Sequence, residues 1–343
     1  MSQVVYVGMS GGVDSSLSAA LLKEQGYQVV GVYMKNWTED LPGMRCPWAD
    51  DLADAKRVAV QLGIPFKVYD FQDEYRQKVV DYMIGEYEAG RTPNPDIMCN
   101  QEVKFKLFLE TALEQGADLI ATGHYAKALD GRLWRPKDEV KDQTYFLYRV
   151  SGEALGKTLF PLGELTKTEV RARAARLGLT TATKKDSQGI CFVGSVGIRE
   201  FLSGYVETLP GDIIDKETGQ VIGRHDGAIF YTLGQRHGLN AGGGMPYYVV
   251  GKDMSKNQVY VSRNLNDESM WQRQLKLTGI HWINDAPQPD DELHVRLRHR
   301  GQLLPAKLVG DTLSLEEPER AAAAGQSAVL YRGDEVLGGG IIA

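Results

Sequence analysis

Apolar and polar positions along the first third of the chain follow two periods in turn, and the switches between them mark the elements. "VVYVGM" (4–9) is a continuous apolar run of the kind a strand buried on both faces needs. From Asp14 the period becomes helical, with Leu17 and Leu21 on one face and Gly26 suited to the stop. "VVGVYM" (29–34) predicts a second strand, "ADDLADAKRVAVQLG" a second helix closed by Gly63 and Pro65, and "FKVYDF" a third strand. A helix through "EYRQKVVDYMIGEYEAG" comes next, then a loop at "GRTPNPDIMCN", a helix over "QEVKFKLFLETALEQG" and a strand at "ADLIATGH". Such alternation predicts an α/β fold, a doubly wound, mostly parallel sheet with helices on both faces. Ligands then gather at the carboxyl ends of its strands.

Beyond residue 195 the texture changes. "LPGDIIDKETGQVIG", "AIFYTLGQRHGL" and "YYVVGKD" read as short β-type runs between Gly, Asp and Asn turns. Near residue 270 it shifts again, and "LTGIHWI", "HVRLRHR", "AKLVGDTLSLEE" and "AVLYRGDEVLGGGII" read as hairpins of a small all-β unit. Three domains are expected: 1–195, then two smaller β-rich units at 196–268 and 269–343, the last barrel-like.

At 343 residues, with 43% apolar and 24% charged residues, the composition is that of a globular protein. No apolar run approaches the roughly 18 residues of a membrane helix, and no signal peptide is read, so no membrane partner and a cytoplasmic location are expected. The net charge of −6 argues against wholesale adhesion to nucleic acid. Local basic stretches remain: Arg296, Arg298, Arg300 and Lys307 in one, Lys167, Arg171, Arg173, Arg176, Lys184 and Lys185 in another. Three cysteines, Cys46, Cys99 and Cys191, form neither a disulfide framework nor a zinc spacing.

The chemistry starts at "GMSGGVDSS" (8–16). Gly11 and Gly12 allow a backbone to approach an anion closely, Ser10, Ser15 and Ser16 offer hydroxyls, and the following helix adds its amides. The lysine of the nucleoside-triphosphatase P-loop is missing, and Asp14 stands there instead, an acid able to hold Mg²⁺. "GEALGKT" (152–158) only imitates a P-loop: it has one residue too few between its glycines and no leading strand.

Two further loops carry cysteines. In "GRTPNPDIMCNQEVKF", Pro93 and Pro95 stiffen the approach to Cys99, and Asn100 is expected to cap a helix from Gln101. That puts Cys99 just before a helix N-terminus, where the dipole favours thiolate. Asp96 is a candidate to bind or deprotonate a substrate group. In "KKDSQGICFVG", Cys191 lies in a polar loop beside Lys184 and Lys185. Two cysteines in such loops point to sulfur chemistry rather than ammonia transfer, whereas Cys46 reads as structural.

S-G-G-x-D-S resembles the pyrophosphatase loop of ATP enzymes that cleave between the α and β phosphates. The wider set "SGGVDSS", "MKNW", "GRTPNPDIMCN", "FLETALEQGADLIATGHYAK", "KDQTYFLYRV", "DSQGICF", "YTLGQRHGL" and "GQSAVLYRGDEVLGGGII" resembles the tRNA-specific 2-thiouridylases from first strand to last. That resemblance implies an adenine nucleotide α-hydrolase-like N-terminal domain that uses ATP and Mg²⁺ to thiolate the wobble uridine of tRNA. It implies ATP contacts at Gly8, Met9, Ser10, Gly11, Gly12, Val13, Asp14, Ser15, Met34 and Gly123, with Asp14 toward the metal. Asn94, Pro95 and Asp96 would meet the target base, and Lys141, Asp142, Gln143, Arg298 and His299 the tRNA. Cys99 would be the nucleophile and Cys191 the persulfide carrier, loaded by an external sulfur-donor protein, with a Cys99–Cys191 disulfide left after turnover. A monomer is expected when free. An ammonia-using ligase would share the loop but need no cysteine pair, and a nucleotide sensor or RNA-binding module would need no chemistry at all.

Overall fold

The computed structural model describes residues 2–40, 46–186, 198–239, 245–264 and 266–343. Its N-terminal part is built on five parallel strands: β1 (Val4–Gly8), β2 (Gln28–Lys35), β3 (Phe66–Asp70), β4 (Leu119–Ala121) and β7 (Thr158–Leu159), in the order β3-β2-β1-β4-β7. Residues alternate in direction along β1, so Val5 and Val7 pack with Leu17, Val58, Val170 and Ala174 on one side. Tyr6 faces the other, with Phe108, Ile120 and Val103. Both faces are thereby covered, which explains why β1 is apolar throughout. The strand order reverses between β1 and β4, and the crevice of a doubly wound sheet opens outside the carboxyl ends of such a pair. Gly8 and Ala121 end those two strands.

Four strands follow: β8 (Gly211–Asp215), β9 (Val221–His225), β10 (Tyr248–Asp253) and β11 (Gln258–Ser262), in the order β10-β11-β8-β9. The expected β-run over 228–239 is not a strand. Ala228–Phe230 make one 3-10 turn, and the guanidinium of Arg199 lies over the rings of Phe230 and Tyr231 at 4.8 and 5.5 Å. The apolar residues of this stretch fill a packed loop rather than a sheet face.

The C-terminal strands β12 (Trp271–Trp282), β13 (Leu293–Arg296), β14 (Leu304–Val309), β15 (Thr312–Arg320), β16 (Ser327–Arg332) and β17 (Glu335–Ile342) pair antiparallel in the order β12-β15-β14-β13-β16-β17. Pairing of β12 with β17 closes them into a barrel. A hairpin from the N-terminal part, β5 (Lys127–Leu129) and β6 (Arg132–Trp134), extends this sheet, with Glu335 opposite Trp134 and Val336 opposite Leu133. Its turn is Asp130–Gly131, both at positive φ (51° and 72°), as a tight two-residue hairpin requires. Among the described residues no helix is long and apolar enough to cross a membrane.

Candidate functional site

The turn after β1 is shaped by close packing. Gly11 has φ +75°, and a Cβ there would stand 2.3 Å from the Asp51 carbonyl oxygen, so only glycine fits. Gly12 begins the helix Val13–Glu24 without a side-chain cap, leaving first-turn amides for an anion. Ser10 is exposed, and its backbone N–H donates to Ser15 Oγ at 3.1 Å. Ser16 turns inward instead: its hydroxyl is buried and donates to the Gly12 carbonyl at 2.7 Å.

The distant members of the expected nucleotide set converge on this turn. A Cβ on Gly8 would meet Met34 Cε at 2.9 Å and Phe108 at 3.6 Å. A Cβ on Gly123, just past β4, would meet the Ser15 backbone N at 2.7 Å. Any side chain at Gly123 would therefore push the helix start away from the crevice.

A residue that the sequence reading left in a basic stretch completes the turn. Lys167 opens the helix Lys167–Arg176, whose N-terminus is fixed by a capping box between Thr166 and Glu169. Its ammonium donates to both Asp14 oxygens at 2.7 Å and lies 2.9 Å from Asp186. Asp14 also accepts from the Tyr125 hydroxyl at 2.9 Å. Asp186 is held in addition by Lys141 at 2.8 Å and Arg171 at 2.7 Å. Burial alone would raise its carboxyl, but Lys141 and Lys167 bring it down to about 2.

Carboxylate oxygens suit a hard cation, and Asp14 and Asp186 share one ammonium at the loop. This donor set fits Mg²⁺ arriving with a nucleotide that supplies the remaining oxygens. Among the described residues no group of three or more His, Cys, Asp or Glu could hold a metal ion.

The Cys99 loop departs from expectation. Asn94, not Asn100, is the cap: its side chain accepts from the Asp96 N–H at 3.2 Å, and Pro95 occupies the first helical position. The helix Pro95–Met98 runs straight into a wide-turn π-helical segment, Cys99–Leu107, so Cys99 lies inside a helix rather than ahead of one. Its side chain is 1% exposed, among Tyr75, Val103 and Phe105. Burial pushes the thiol up; Lys104 and a Tyr75 hydrogen bond oppose this, and Asp96 adds to it. The thiolate expected from the helix dipole is thus not the resting form. Asn100 is buried too, and its amide donates to the Phe146 carbonyl at 3.1 Å.

Of the residues expected at RNA, Lys141 is bonded to Asp186, while the side-chain amide oxygen of Gln143 accepts from the Tyr125 N–H at 2.9 Å. Asp142 is turned away from any partner outside the protein. It is 2% exposed and accepts from Thr144 Oγ1 at 2.6 Å, Arg296 at 2.8 Å and Arg135 at 3.2 Å. It acts as a strut between the N-terminal part and the barrel. Arg298 is exposed and reaches Glu319 at 3.3 Å. His299 stacks on Phe146 with ring centroids 4.4 Å apart, and burial keeps its imidazole below the usual range. Cys46 is buried, with its Sγ 3.7 Å from the Trp37 carbonyl oxygen. Cys191 lies outside the described residues; Asp186 is the last described residue before it.

Three family descriptions match the chain in succession: a tRNA methyl transferase HUP domain over residues 3–195, a tRNA methyl transferase PRC-barrel domain over 199–263, and an aminomethyltransferase beta-barrel domain over 272–342. The tRNA-specific 2-thiouridylase MnmA of Enterococcus faecalis (strain ATCC 700802 / V583) is 45% identical over 354 residues, covering 98% of this chain and 94% of the relative. The protein of that name from Bacillus subtilis (strain 168) is 45% identical over 350 residues with the same coverage. Among solved structures, a 4-thiouridine synthetase–RNA complex with bound ATP matches at TM-score 0.40 and 17% identity over 59% of this chain and 50% of that one. The NH3-dependent NAD synthetase of Campylobacter jejuni matches at TM-score 0.35 and 20% identity over 55% and 69%.

Proposed function

The chain belongs to the tRNA-specific 2-thiouridylase family, and from that premise we propose that it replaces O2 of the wobble uridine in tRNA with sulfur, at the expense of ATP. The observation that carries the reading is the convergence of the Ser10–Ser16 turn, Met34, Gly123 and Lys167 at the switch between β1 and β4.

In this reading uracil O2 attacks the α phosphorus and pyrophosphate leaves against the uncapped amides of Val13–Glu24, with Ser10 and Ser15 beside it. Lys167 supplies the cation that the loop itself lacks, moving from Asp14 to phosphate oxygen. When bound, Mg²⁺ would neutralise phosphate charge, with Asp14 as its protein ligand. Asn94, Pro95 and Asp96 hold the base, and Asp96 binds or deprotonates it. Lys141, Gln143, Arg298 and the His299 turn face the tRNA. An external donor loads Cys191 as a persulfide. Either its terminal sulfur attacks C2 and Cys99 resolves it, or Cys99 attacks the persulfide and frees hydrosulfide to do so. In both versions AMP leaves C2 and a Cys99–Cys191 disulfide remains for an external reductant.

The test is to incubate the protein with ATP, Mg²⁺, tRNA and a persulfide source, then analyse nucleosides and nucleotides. 2-Thiouridine together with AMP and pyrophosphate is expected. ADP and phosphate as the tRNA-dependent products would overturn the pyrophosphatase reading, and absence of thiolated nucleoside the function.

A further inference from the structure

The segment from Thr92 to Gln101 carries Asn94, Asp96 and Cys99, yet both its ends are fastened by the β domains. At the front end Thr92 is gripped on three sides. Its backbone N–H donates to the Ala324 carbonyl at 2.8 Å, and its carbonyl accepts from Gln326 Nε2 at 2.7 Å. Its hydroxyl lies 3.0 Å from that of Thr232. Ala324 and Gln326 belong to the C-terminal barrel and Thr232 to the central domain, so three domains meet on one residue. The approach is close enough to require glycine at 325: φ is +89°, and a Cβ there would stand 2.7 Å from the Thr92 nitrogen. At the far end, Arg149 Nε donates to the Gln101 side chain, and its Nη1 donates to the Gly279 carbonyl on β12 at 2.7 Å. Between these ends the chain has little slack. Asn94 caps the helix only two residues after Thr92, Pro95 fixes its first turn, and Cys99 follows without a break.

The geometry points to Thr92 as the positioning residue through which the barrel, by way of Gln326, sets the Asn94–Cys99 segment for the base. Docking of tRNA on the barrel and placement of the reacting uracil are then mechanically one event. This rests on the reading above that Asn94–Asp96 meet the base. Thr92 itself touches no reacting atom. The amide of Gln326 acts on the segment through a main-chain carbonyl, so its loss loosens the segment without removing any group that holds ATP or RNA.

Gln326→Met keeps the volume and deletes the donor. It should lower the single-turnover rate of thiolation about ten-fold while tRNA and ATP dissociation constants stay within about two-fold, the signature of misplacement rather than lost binding. Thr92→Val keeps the main-chain carbonyl that Gln326 grips and removes only the hydroxyl contact to Thr232, so it should lower the rate less than Gln326→Met, and Thr92→Ser should stay near the parent. Amide hydrogen exchange of residues 93–99 should be faster in Gln326→Met by about ten-fold or more, a readout that needs no turnover. Unchanged exchange in that variant overturns the proposal whether or not the parent thiolates tRNA. So does a loss for Thr92→Val as large as that for Gln326→Met, or a loss confined to tRNA affinity. A parent that binds tRNA but forms no 2-thiouridine counts against the functional reading alone, and exchange then decides this one.

Discussion

The Lys167 ammonium lies 2.7 Å from each carboxylate oxygen of Asp14, linking the helix Lys167–Arg176 to the turn after β1. A cation thus stands at the turn proposed to hold pyrophosphate, although the turn's own sequence has none. Lys167→Ala should slow pyrophosphate release about 100-fold, the scale of removing one preorganised group that meets developing charge. Binding of tRNA should be unaffected. Lys167→Arg should restore little, because a planar fork does not replace a compact ammonium between two acids. Pyrophosphate release at the parent rate in the alanine variant would remove Lys167 from the site.

Asp142 and Arg296 form a buried pair, with side chains 2% and 7% exposed. Burial alone would raise the Asp142 carboxyl, but the Thr144 hydroxyl and the Arg296 guanidinium outweigh it and hold it below the usual 3.8. Its folded value being depressed, the pair stabilises fully above pH 3.8 and loses that contribution as pH falls through the folded value. Arg296→Met should cost about 1–3 kcal/mol at neutral pH, since it removes one of the two guanidiniums that hold the buried Asp142 carboxylate and leaves Arg135 in place. Urea melts at pH 7 and pH 3 check this: the gap between variant and parent should narrow in acid.

Lys252 presents the opposite sign. Burial brings its ammonium down from 10.5 to about 8, and its Nζ donates to the Tyr231 carbonyl at 2.8 Å. A depressed folded value means the stabilising share is present above pH 10.5 and disappears as pH falls through 8. At pH 7 the charged amine is therefore a burden. Lys252→Met should match or exceed the parent in melting temperature at pH 7, with the difference, on the order of 2 kcal/mol after a discount for solvent, gone by pH 10.5. A variant less stable at pH 7 than at pH 10, relative to parent, would contradict it.

Arg298 is exposed beside Glu319, at 3.3 Å. A phosphate must compete with that carboxylate. Arg298→Ala should lower the slope of log affinity against log salt by about one phosphate contact, and Glu319→Gln should strengthen tRNA binding modestly. Equal tRNA affinity for parent and Arg298→Ala at low and high salt would exclude this turn from the interface.

The parallel sheet was legible because its signal is local: Val5, Val7 and Tyr6 carry their two-faced burial in consecutive letters. The hairpin β5–β6 left only Asp130–Gly131 as a trace. Its strands are three residues each, and their partner Glu335–Val336 is remote in sequence. Asn94–Pro95 did carry the cap-then-proline signature of a helix start, but the flanking Pro93 and Gly90 read as loop. Lys167 had no such signature. Its partner Asp14 lies at the other end of the domain sequence, and only the order β1-β4-β7 brings the helix that follows back to the loop. Ser16 illustrates the reverse failure. Counted as a donor toward a ligand, it bonds one turn back along its own helix.

If the proposed mechanism holds, Cys99 and Cys191 should divide the labour of sulfur transfer. Adenylation needs ATP and a positioned uracil but no thiol, so Cys191→Ser should still release pyrophosphate with tRNA while accepting no sulfur from a persulfide donor. Cys99→Ser should take up sulfur on Cys191 yet stall, since nothing can close the disulfide. The burial of Cys99 adds a second, independent mark. With its thiol pushed up, alkylation in the free protein should be slow at pH 7 and climb only above pH 9.0, the ordinary thiol value. Binding of tRNA should change that rate if the base docks against the Asn94–Cys99 segment. Cys46→Ser should keep activity, with about 1–3 kcal/mol of stability lost from a buried hydroxyl. Intact-mass measurement follows the extra sulfur, about 32 daltons on the modified thiol. Persulfide found on Cys99 in the Cys191→Ser protein, with thiolation intact, would reverse the roles, and full activity of the double variant would end the cysteine mechanism altogether.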